Sequence, residues 1–132
     1  MRQLDSLDVW RAAQDLAHSA YLLTLDRLLS RHFALVDQVR RAAISVPANI
    51  AEGYALSTPP QFVRHLRIAL GSAAELRSHL ELARRLDLVP VVEAGETIAL
   101  CLRVISMLVG LLRKLTGGTV SRSTFPVSRS GD

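Results

Sequence analysis

Apolar residues recur at intervals of three and four along most of the chain, which is the spacing of helices that bury one face. The clearest series runs Phe62, Leu66, Ala69, Ala73, Leu76, Leu80 and Ala83. Its steps alternate between four and three, as in a heptad repeat, and helices with this repeat pack at about 20° to one another. The pattern therefore predicts a helical bundle.

Four such helices are predicted, joined by short connections. Gly53 marks the end of the second helix, because glycine readily takes the left-handed conformation found there. Pro59 and Pro60 mark the start of the third, because Ser57 and Thr58 are capping residues and proline suits a first turn. The predicted helices are Ser6 or Asp8 to Ser30, His32 or Phe33 to Glu52, Pro59-Pro60 to Asp87, and Val89-Pro90 to Leu115. Short connections favour an antiparallel up-down bundle.

Pro47 lies inside the second helical pattern. It removes one backbone donor and crowds the preceding turn, so a kink between Ala43 and Pro47 is one expectation. Two helices split at Ser45 are the alternative. The apolar stripe keeps its phase across Pro47, which favours one kinked helix.

The fourth helix carries two apolar stripes. The predicted core seam is Ile98, Leu102, Ile105, Val109 and Leu112, and beside it lie Cys101, Val104, Leu108, Leu111 and Leu115. On the far side of the third helix, Ile68 and Leu82 flank Glu75. These extra apolar surfaces are either walls of a well-covered core or faces for contact between subunits, since large exposed apolar patches are rare on monomers.

Composition agrees with one helical domain. The chain has 132 residues, 49% of them hydrophobic and only 5% aromatic, with Ala and Leu prominent. Residues 1–115 are predicted to form the bundle, and residues 116–132, rich in Gly, Ser and Thr, a disordered tail. The lone Cys101 excludes a disulfide framework and suits a reducing cytoplasm. The apolar stretch from Thr97 to Leu112 is interrupted by Arg103 and shorter than the ~20 residues of a membrane span, so no membrane is predicted.

Signatures of catalysis and of cofactor binding are missing from the sequence. The four histidines, His18, His32, His65 and His79, show no metal-ligand spacing. There is no glycine-rich phosphate loop, paired-cysteine motif or nucleophile signature. The sequence therefore predicts no enzyme activity, no cofactor and no bound metal.

The net charge is +4, and the cations are almost all arginine. Candidate contacts for a partner or for nucleic acid are Arg40, Arg41, Arg64 and Arg67. Most such side chains are solvated or paired on a helix surface. In an oligomer, however, each patch repeats and the summed field can hold phosphate.

The segment from Gln38 to Gly53 places Ser, Pro, Asn and Glu in an otherwise good helix, and such conflicts mark structural devices or sites. Its notable residues are Pro47, Asn49, Glu52 and Gly53, with Glu75 on the third helix. They either line a charged groove that holds a partner or form ion pairs and backbone caps. We favour the structural interpretation, in which Asn49 satisfies a backbone group freed by Pro47.

The same segment resembles the proteins encoded in intervening sequences of bacterial 23S ribosomal RNA. Further matching blocks are Leu7-Asp8-Val9-Trp10, Phe62 to Glu75 and Leu80 to Leu88, and the resemblance covers about residues 5 to 115. It implies a four-helix bundle that assembles as a homopentamer, without an established enzyme activity. By fold it also implies a distant relation to the accessory variability determinant of diversity-generating retroelements, a basic pentamer thought to bind nucleic acid and a reverse transcriptase.

Two functional hypotheses follow. The first is an oligomeric scaffold or adaptor that binds RNA, DNA or a nucleic-acid enzyme. The alternative is a purely structural or protein-binding bundle whose charged residues serve assembly. One departure from the family pattern is the link from Leu28 to Arg31, where a turn containing Pro and Glu is usual.

Overall fold

A computed structural model describes residues 7–56 and 58–117, which form four long helices. The helices are α1 (Asp8–Leu23), α2 (Phe33–Leu56), α3 (Pro59–Arg85) and α4 (Val91–Leu115), and a short 3-10 turn, Leu29–Arg31, precedes α2. No strand occurs within these described ranges. The all-α class predicted from the sequence is confirmed.

Each helix packs against the next along the chain, and α4 packs against α1, which closes the bundle. The α2–α3 contact is the most extensive. Asn49 meets His65 while Ser45 meets Ser72, so residue numbers fall along one helix as they rise along the other. That register is antiparallel, as the up-down topology requires.

The α3 stripe predicted from spacing forms the centre of the core. All seven of its residues are buried, from Phe62 to Ala83. Burying a leucine side chain of this kind contributes about 1.5–3 kcal/mol, so Leu66, Leu76 and Leu80 are major sources of stability. Alanines at the intervening positions let the neighbouring helices approach.

The buried stripe of α4 differs from the predicted seam. Cys101, Val104 and Leu108 are fully buried, whereas Leu102 of the predicted seam is 39% exposed. Ile105 and Val109 are partly buried at the edge of the core. The prediction is confirmed for Ile98 and Leu112, which are buried, and wrong for Leu102. Because α4 is apolar on most sides, spacing alone does not fix its orientation.

Among the described helices, α4 is also long and apolar enough to cross a membrane by length and composition. Core helices of soluble bundles share this property. Here one side of α4 packs on α3 and on α1, and its residues Thr97, Cys101 and Leu112 are buried between them.

Helix α1 ends at Leu23, seven residues before the predicted end. Three local side-chain bonds explain the early stop. The Thr24 hydroxyl donates to the Tyr21 carbonyl, Asp26 accepts from the Leu28 N–H, and the Ser30 hydroxyl donates to the Arg27 carbonyl. Side chains of this type compete with the helical hydrogen bonds.

Helix α2 continues through Pro47 to Leu56. The prediction of a single helix across Pro47 is confirmed, and a split at Ser45 is excluded. The predicted stop at Gly53 is wrong, because Gly53 is a buried residue within the helix. Its lack of a side chain serves packing, as described below.

The end of α3 is closed by a Schellman motif. Asp87 adopts a positive φ of 57°. The Leu88 N–H donates to the Ala83 carbonyl and the Asp87 N–H to the Arg84 carbonyl, which satisfies two terminal carbonyls. At the end of α4, Gly117 has φ 75°. The predicted disordered tail lies, from residue 118 onward, outside the described residues.

Candidate functional site

An open groove lies at the end of the bundle where α3 begins and α4 ends. Its volume is about 530 Å³, and Pro59, Pro60, Val63, Arg64, Arg67 and Leu115 line it. Both arginines are exposed. Neither has a hydrogen bond or an ion pair among the described residues. Two guanidinium groups therefore flank an apolar floor and remain available to an anion.

Two further cations belong to the same end of the bundle. Arg113 and Lys114 occupy the last turn of α4 and directly precede Leu115, whose side chain lines the groove. Both are exposed. Cations in a final turn are favourable to the helix dipole, which is their structural explanation. We name Arg64, Arg67, Arg113 and Lys114 the basic end.

Arg40 is engaged within the subunit, near the opposite end. Its Nε donates to the Thr24 hydroxyl at 2.9 Å, and its guanidinium lies 4.3 Å from the centroid of the Tyr21 ring. A cation over an aromatic face contributes about 0.5–1 kcal/mol at an exposed site. Arg40 therefore ties the start of α2 to the end of α1.

Arg41 points into solvent one residue further along α2. It forms an ion pair with Asp37 at 3.0 Å, and its side chain is 74% exposed. Such exposed pairs are weak. The structure thus does not bring the four candidate arginines together: Arg40 and Arg41 lie in the first half of α2, and Arg64 and Arg67 lie at the other end of the bundle.

A chain of polar side chains joins α2 to α3. Asn49 donates through Nδ2 to the Ser45 carbonyl at 2.9 Å and to the Ser45 hydroxyl at 3.0 Å. Its Oδ1 is 3.0 Å from Nδ1 of His65. Because an amide oxygen only accepts, Nδ1 of His65 is the donor in this hydrogen bond. The Ser45 and Ser72 hydroxyls share a hydrogen bond of 2.8 Å.

These contacts revise the expected role of Asn49. The helical donor that Pro47 lacks would serve the Ala43 carbonyl, four residues earlier. Asn49 instead donates to the Ser45 carbonyl. That carbonyl is not the one left without a helical donor by Pro47. Asn49 therefore acts mainly as a bridge between helices.

The other residues of the predicted motif fall into two groups. Pro47 and Gly53 are buried in α2, and Gly53 faces His65 and Phe62 of α3. Glu52 and Glu75 are exposed. Glu75 lies 3.2 Å from His79, one turn further along α3, whereas Glu52 forms no ion pair within the described ranges. The motif is therefore largely a packing and hydrogen-bonding device, with two carboxylates on its outer edge.

The sequence prediction missed Ser45, His65 and Ser72 as partners of Asn49. The only indication in the sequence was the helical spacing of these hydroxyl, amide and imidazole groups. Which of them pair depends on the register between α2 and α3. It also missed Arg113 and Lys114. Their position after an apolar run and shortly before Gly117 indicates the last turn of a helix. The sequence does not show that this turn lies beside the start of α3.

The buried thiol of Cys101 is a structural group in this arrangement. It donates to the Ala73 carbonyl at 3.2 Å. Burial raises the pKa of Cys101 to about 12, and the nearby Arg77 offsets part of that rise. A thiol held in its neutral form is a poor nucleophile. In residues 7–56 and 58–117 no group of three His, Cys, Asp or Glu side chains is placed to hold a metal ion.

Comparison with known proteins places the chain in a family. The family model of the 23S rRNA-intervening sequence protein matches residues 5–110. No curated protein matches the chain. A crystal structure from Bacteroides thetaiotaomicron VPI-5482, described as a protein with unknown function from the S23 ribosomal protein family, has a TM-score of 0.73 at 21% identity. The alignment covers 80% of this chain and 98% of that one, and it supports the same fold. The chain belongs to the 23S rRNA-intervening sequence protein family.

Proposed function

We propose that this protein is a non-catalytic, oligomeric helical scaffold that binds nucleic acid weakly and without sequence preference. The observation that carries the proposal is the basic end. Arg64 and Arg67 are exposed, have no acidic partner among the described residues and flank an open groove. Phosphate contacts of this kind dominate non-specific affinity. RNA and DNA are both included, because phosphate contacts alone do not distinguish them.

Oligomerisation is the second part of the proposal. Ile68 and Leu82 on the outer side of α3 are 39% and 47% exposed, and Glu75 lies between them. Leu102 on α4 adds exposed apolar area. Two different surfaces on one subunit allow head-to-tail contact, which closes into a ring if the rotation permits. Five subunits are what the family resemblance implies, and a ring of five repeats each basic end five times.

A non-catalytic role is supported by the use of the polar side chains. Ser45, Ser72, Asn49 and His65 hydrogen-bond to one another, so their groups are committed to the α2–α3 contact.

A cytoplasmic location belongs to the same proposal. It is supported by Cys101, a thiol that has no second cysteine to pair with.

The nucleic-acid proposal is tested by fluorescence anisotropy with labelled 20-nucleotide RNA and DNA, from 50 to 300 mM NaCl. The variant Arg64→Gln/Arg67→Gln should bind at least fivefold more weakly and show a smaller salt slope, by about one per lost phosphate contact. The control Arg41→Gln/Arg84→Gln removes the same charge from paired arginines, and it should stay within twofold. Absence of binding at 50 mM NaCl contradicts the proposal.

Oligomeric state is tested by size-exclusion chromatography with light scattering. The subunit mass is 14.5 kDa, so a pentamer has five times that mass. Ile68→Arg/Leu82→Arg should dissociate the assembly. Gln14→Arg/His18→Arg, at exposed positions on α1, should not. A wild-type protein that remains monomeric at tens of micromolar contradicts this part.

The alternative, a structural or protein-binding bundle whose charges serve assembly, is favoured by a different observation. Arg40, Arg41, Arg77 and Arg84 all have partners within the subunit. Under this alternative the assembly forms normally and the Arg64→Gln/Arg67→Gln variant has no effect on nucleic acid.

A further inference from the structure

Exposed apolar side chains concentrate at one end of the bundle, opposite the basic end. Here α1 and α3 end and α2 and α4 begin. Phe33 is 84% exposed, Val91 74% and Leu25 59%. We name this region the apolar end. It holds nine of the fourteen large hydrophobic side chains that are exposed among the described residues: Tyr21, Leu22, Leu25, Leu28, Phe33, Leu82, Leu86, Val91 and Val92.

A groove at the apolar end lies between the last turn of α1 and the first turns of α4. It has a volume of about 500 Å³. Its apolar lining comes from Leu22, Leu23, Leu25 and Pro90. The buried Thr97 shares a hydrogen bond of 2.6 Å with Ser19, which joins α1 to α4 and fixes the two sides of the groove.

The charged lining of this groove is acidic. It consists of Asp26, Glu93 and Glu96, beside the hydroxyl residues Ser19 and Thr97, and no cation lines the groove. Asp26 already accepts from the Leu28 N–H. Glu93 and Glu96 are exposed and form no ion pair within the described ranges. An apolar cleft is therefore edged by negative charge.

The helix dipole accounts for only part of this charge. Glu93 lies in the first turn of α4, where a carboxylate stabilises the helix N-terminus. Glu96 lies beyond that turn, and the dipole effect falls off within it. Glu96 forms no ion pair among the described residues, so its carboxylate is available to a cation outside the subunit.

We propose that this acidic groove binds a basic amphipathic segment of another protein, with one apolar face and flanking Lys or Arg residues. The apolar face would cover Leu22 and Leu25, and the basic side chains would pair with Glu93 and Glu96, as in helix-in-groove recognition. The acidic edge disfavours the phosphates of nucleic acid and of anionic lipid. This inference does not rest on nucleic-acid binding, which is assigned to the opposite end.

The test uses the full-length protein and a fluorescein-labelled 14-residue peptide made of Leu and Lys, with Leu at helical spacings of three and four. Fluorescence anisotropy measures binding. Glu93→Lys/Glu96→Lys should weaken binding at least tenfold, and Leu22→Ser/Leu25→Ser at least fivefold. Asp8→Lys/Glu52→Lys makes the same charge change on exposed residues at the opposite end of the bundle, and it should stay within twofold.

A second peptide, with Glu replacing every Lys, separates this groove from general adhesion to leucine. It should not bind the wild-type protein, and it should bind the Glu93→Lys/Glu96→Lys variant. Circular dichroism confirms that each variant is folded. Equal binding of both peptides to the wild type, or affinity unchanged in the two groove variants, overturns the proposal.

Two other occupants are outcomes of the same experiment. If a second copy of the chain fills the groove, Leu22→Ser/Leu25→Ser lowers the mass measured by light scattering and the wild type does not bind the basic peptide. If the groove binds a membrane, the wild type floats with phosphatidylcholine–phosphatidylglycerol vesicles and does not bind the peptide. Either result overturns the proposal, and neither bears on Arg64 and Arg67.

Discussion

Gly53 of α2 and His65 of α3 pack so closely that a Cβ atom added to Gly53 would lie 2.7 Å from the Cβ atom of His65. Real Cβ atoms do not approach each other so closely. The next neighbour, a ring carbon of Phe62, would lie at 3.2 Å. Gly53 therefore permits the α2–α3 contact at the point where Asn49 and His65 bond.

Gly53→Ala should therefore lower the free energy of unfolding by about 1–3 kcal/mol, the usual cost of overpacking a core. Gly71→Ala is the matched control, because Gly71 is an exposed helical glycine whose added Cβ meets nothing within 4 Å. It should raise stability by about 0.5–1 kcal/mol, since alanine favours the helix. Urea denaturation followed by circular dichroism measures both. Equal effects of the two substitutions would refute the close-packing argument.

Arg40→Ala should lower stability by about 1–2 kcal/mol. The substitution removes a charge-assisted hydrogen bond to Thr24, a buried residue, and the stacking on Tyr21. Arg41→Ala should change stability by less than about 0.5 kcal/mol, because its ion pair is exposed. A double-mutant cycle with Tyr21→Leu measures the stacking contribution alone. Full additivity in that cycle would show that the ring and the guanidinium do not interact.

Asp87→Gly should raise stability by about 0.5–1 kcal/mol. Glycine takes the left-handed conformation without a steric penalty, whereas the Cβ atom of other residues makes that conformation less favourable. Asp87→Asn serves as control, because it removes the charge near a helix C-terminus and keeps the side chain. The glycine variant should be the more stable of the two in urea denaturation. Equal stability of the two variants would assign the effect to charge instead of backbone conformation.

Stability should fall between pH 9 and pH 12 in a way that depends on Cys101. Burial raises the folded-state pKa of Cys101 to about 12, above the ordinary 9.0 of a free thiol. The folded state therefore retains the thiol proton where the unfolded state loses it, so this stabilisation is complete below pH 9 and is lost as pH rises towards 12. Urea midpoints at pH 7, 9 and 10.5 should converge between the wild type and Cys101→Ser, which cannot ionise in this range. A constant difference between the two proteins would contradict the raised pKa.

Much of the fold was predictable because one helix carried an unambiguous pattern. In α3 the apolar positions are separated by polar ones, so the buried face had a single solution. In α4 apolar residues occupy most sides of the helix. Cys101 and Val104 are therefore buried, although the spacing favoured Leu102 and Ile105 for the core. The early end of α1 depends on bonds from Thr24, Asp26 and Ser30, and helix propensity gives no measure of them.

The candidate site was less predictable, for a physical reason. The sequence shows that an arginine is charged. Whether its guanidinium is available to a partner depends on the residues packed beside it in the fold. Arg40 contacts Tyr21 in α1 and Thr24 just after it, 19 and 16 positions earlier in the chain. Arg64 and Arg67 instead face a groove completed by Leu115, about fifty positions later. The side-chain pairing of Asn49 with His65 likewise follows from helix register and not from composition.

The length of the helices fixes how far apart the two ends of the subunit are. The 25 residues of α4 span about 37 Å at a rise of 1.5 Å per residue. Molecules held at the basic end and at the apolar end would be separated by a rigid rod of that length. The subunit would then act as a spacer, and adding or removing a heptad from each helix would change its span by about 10 Å.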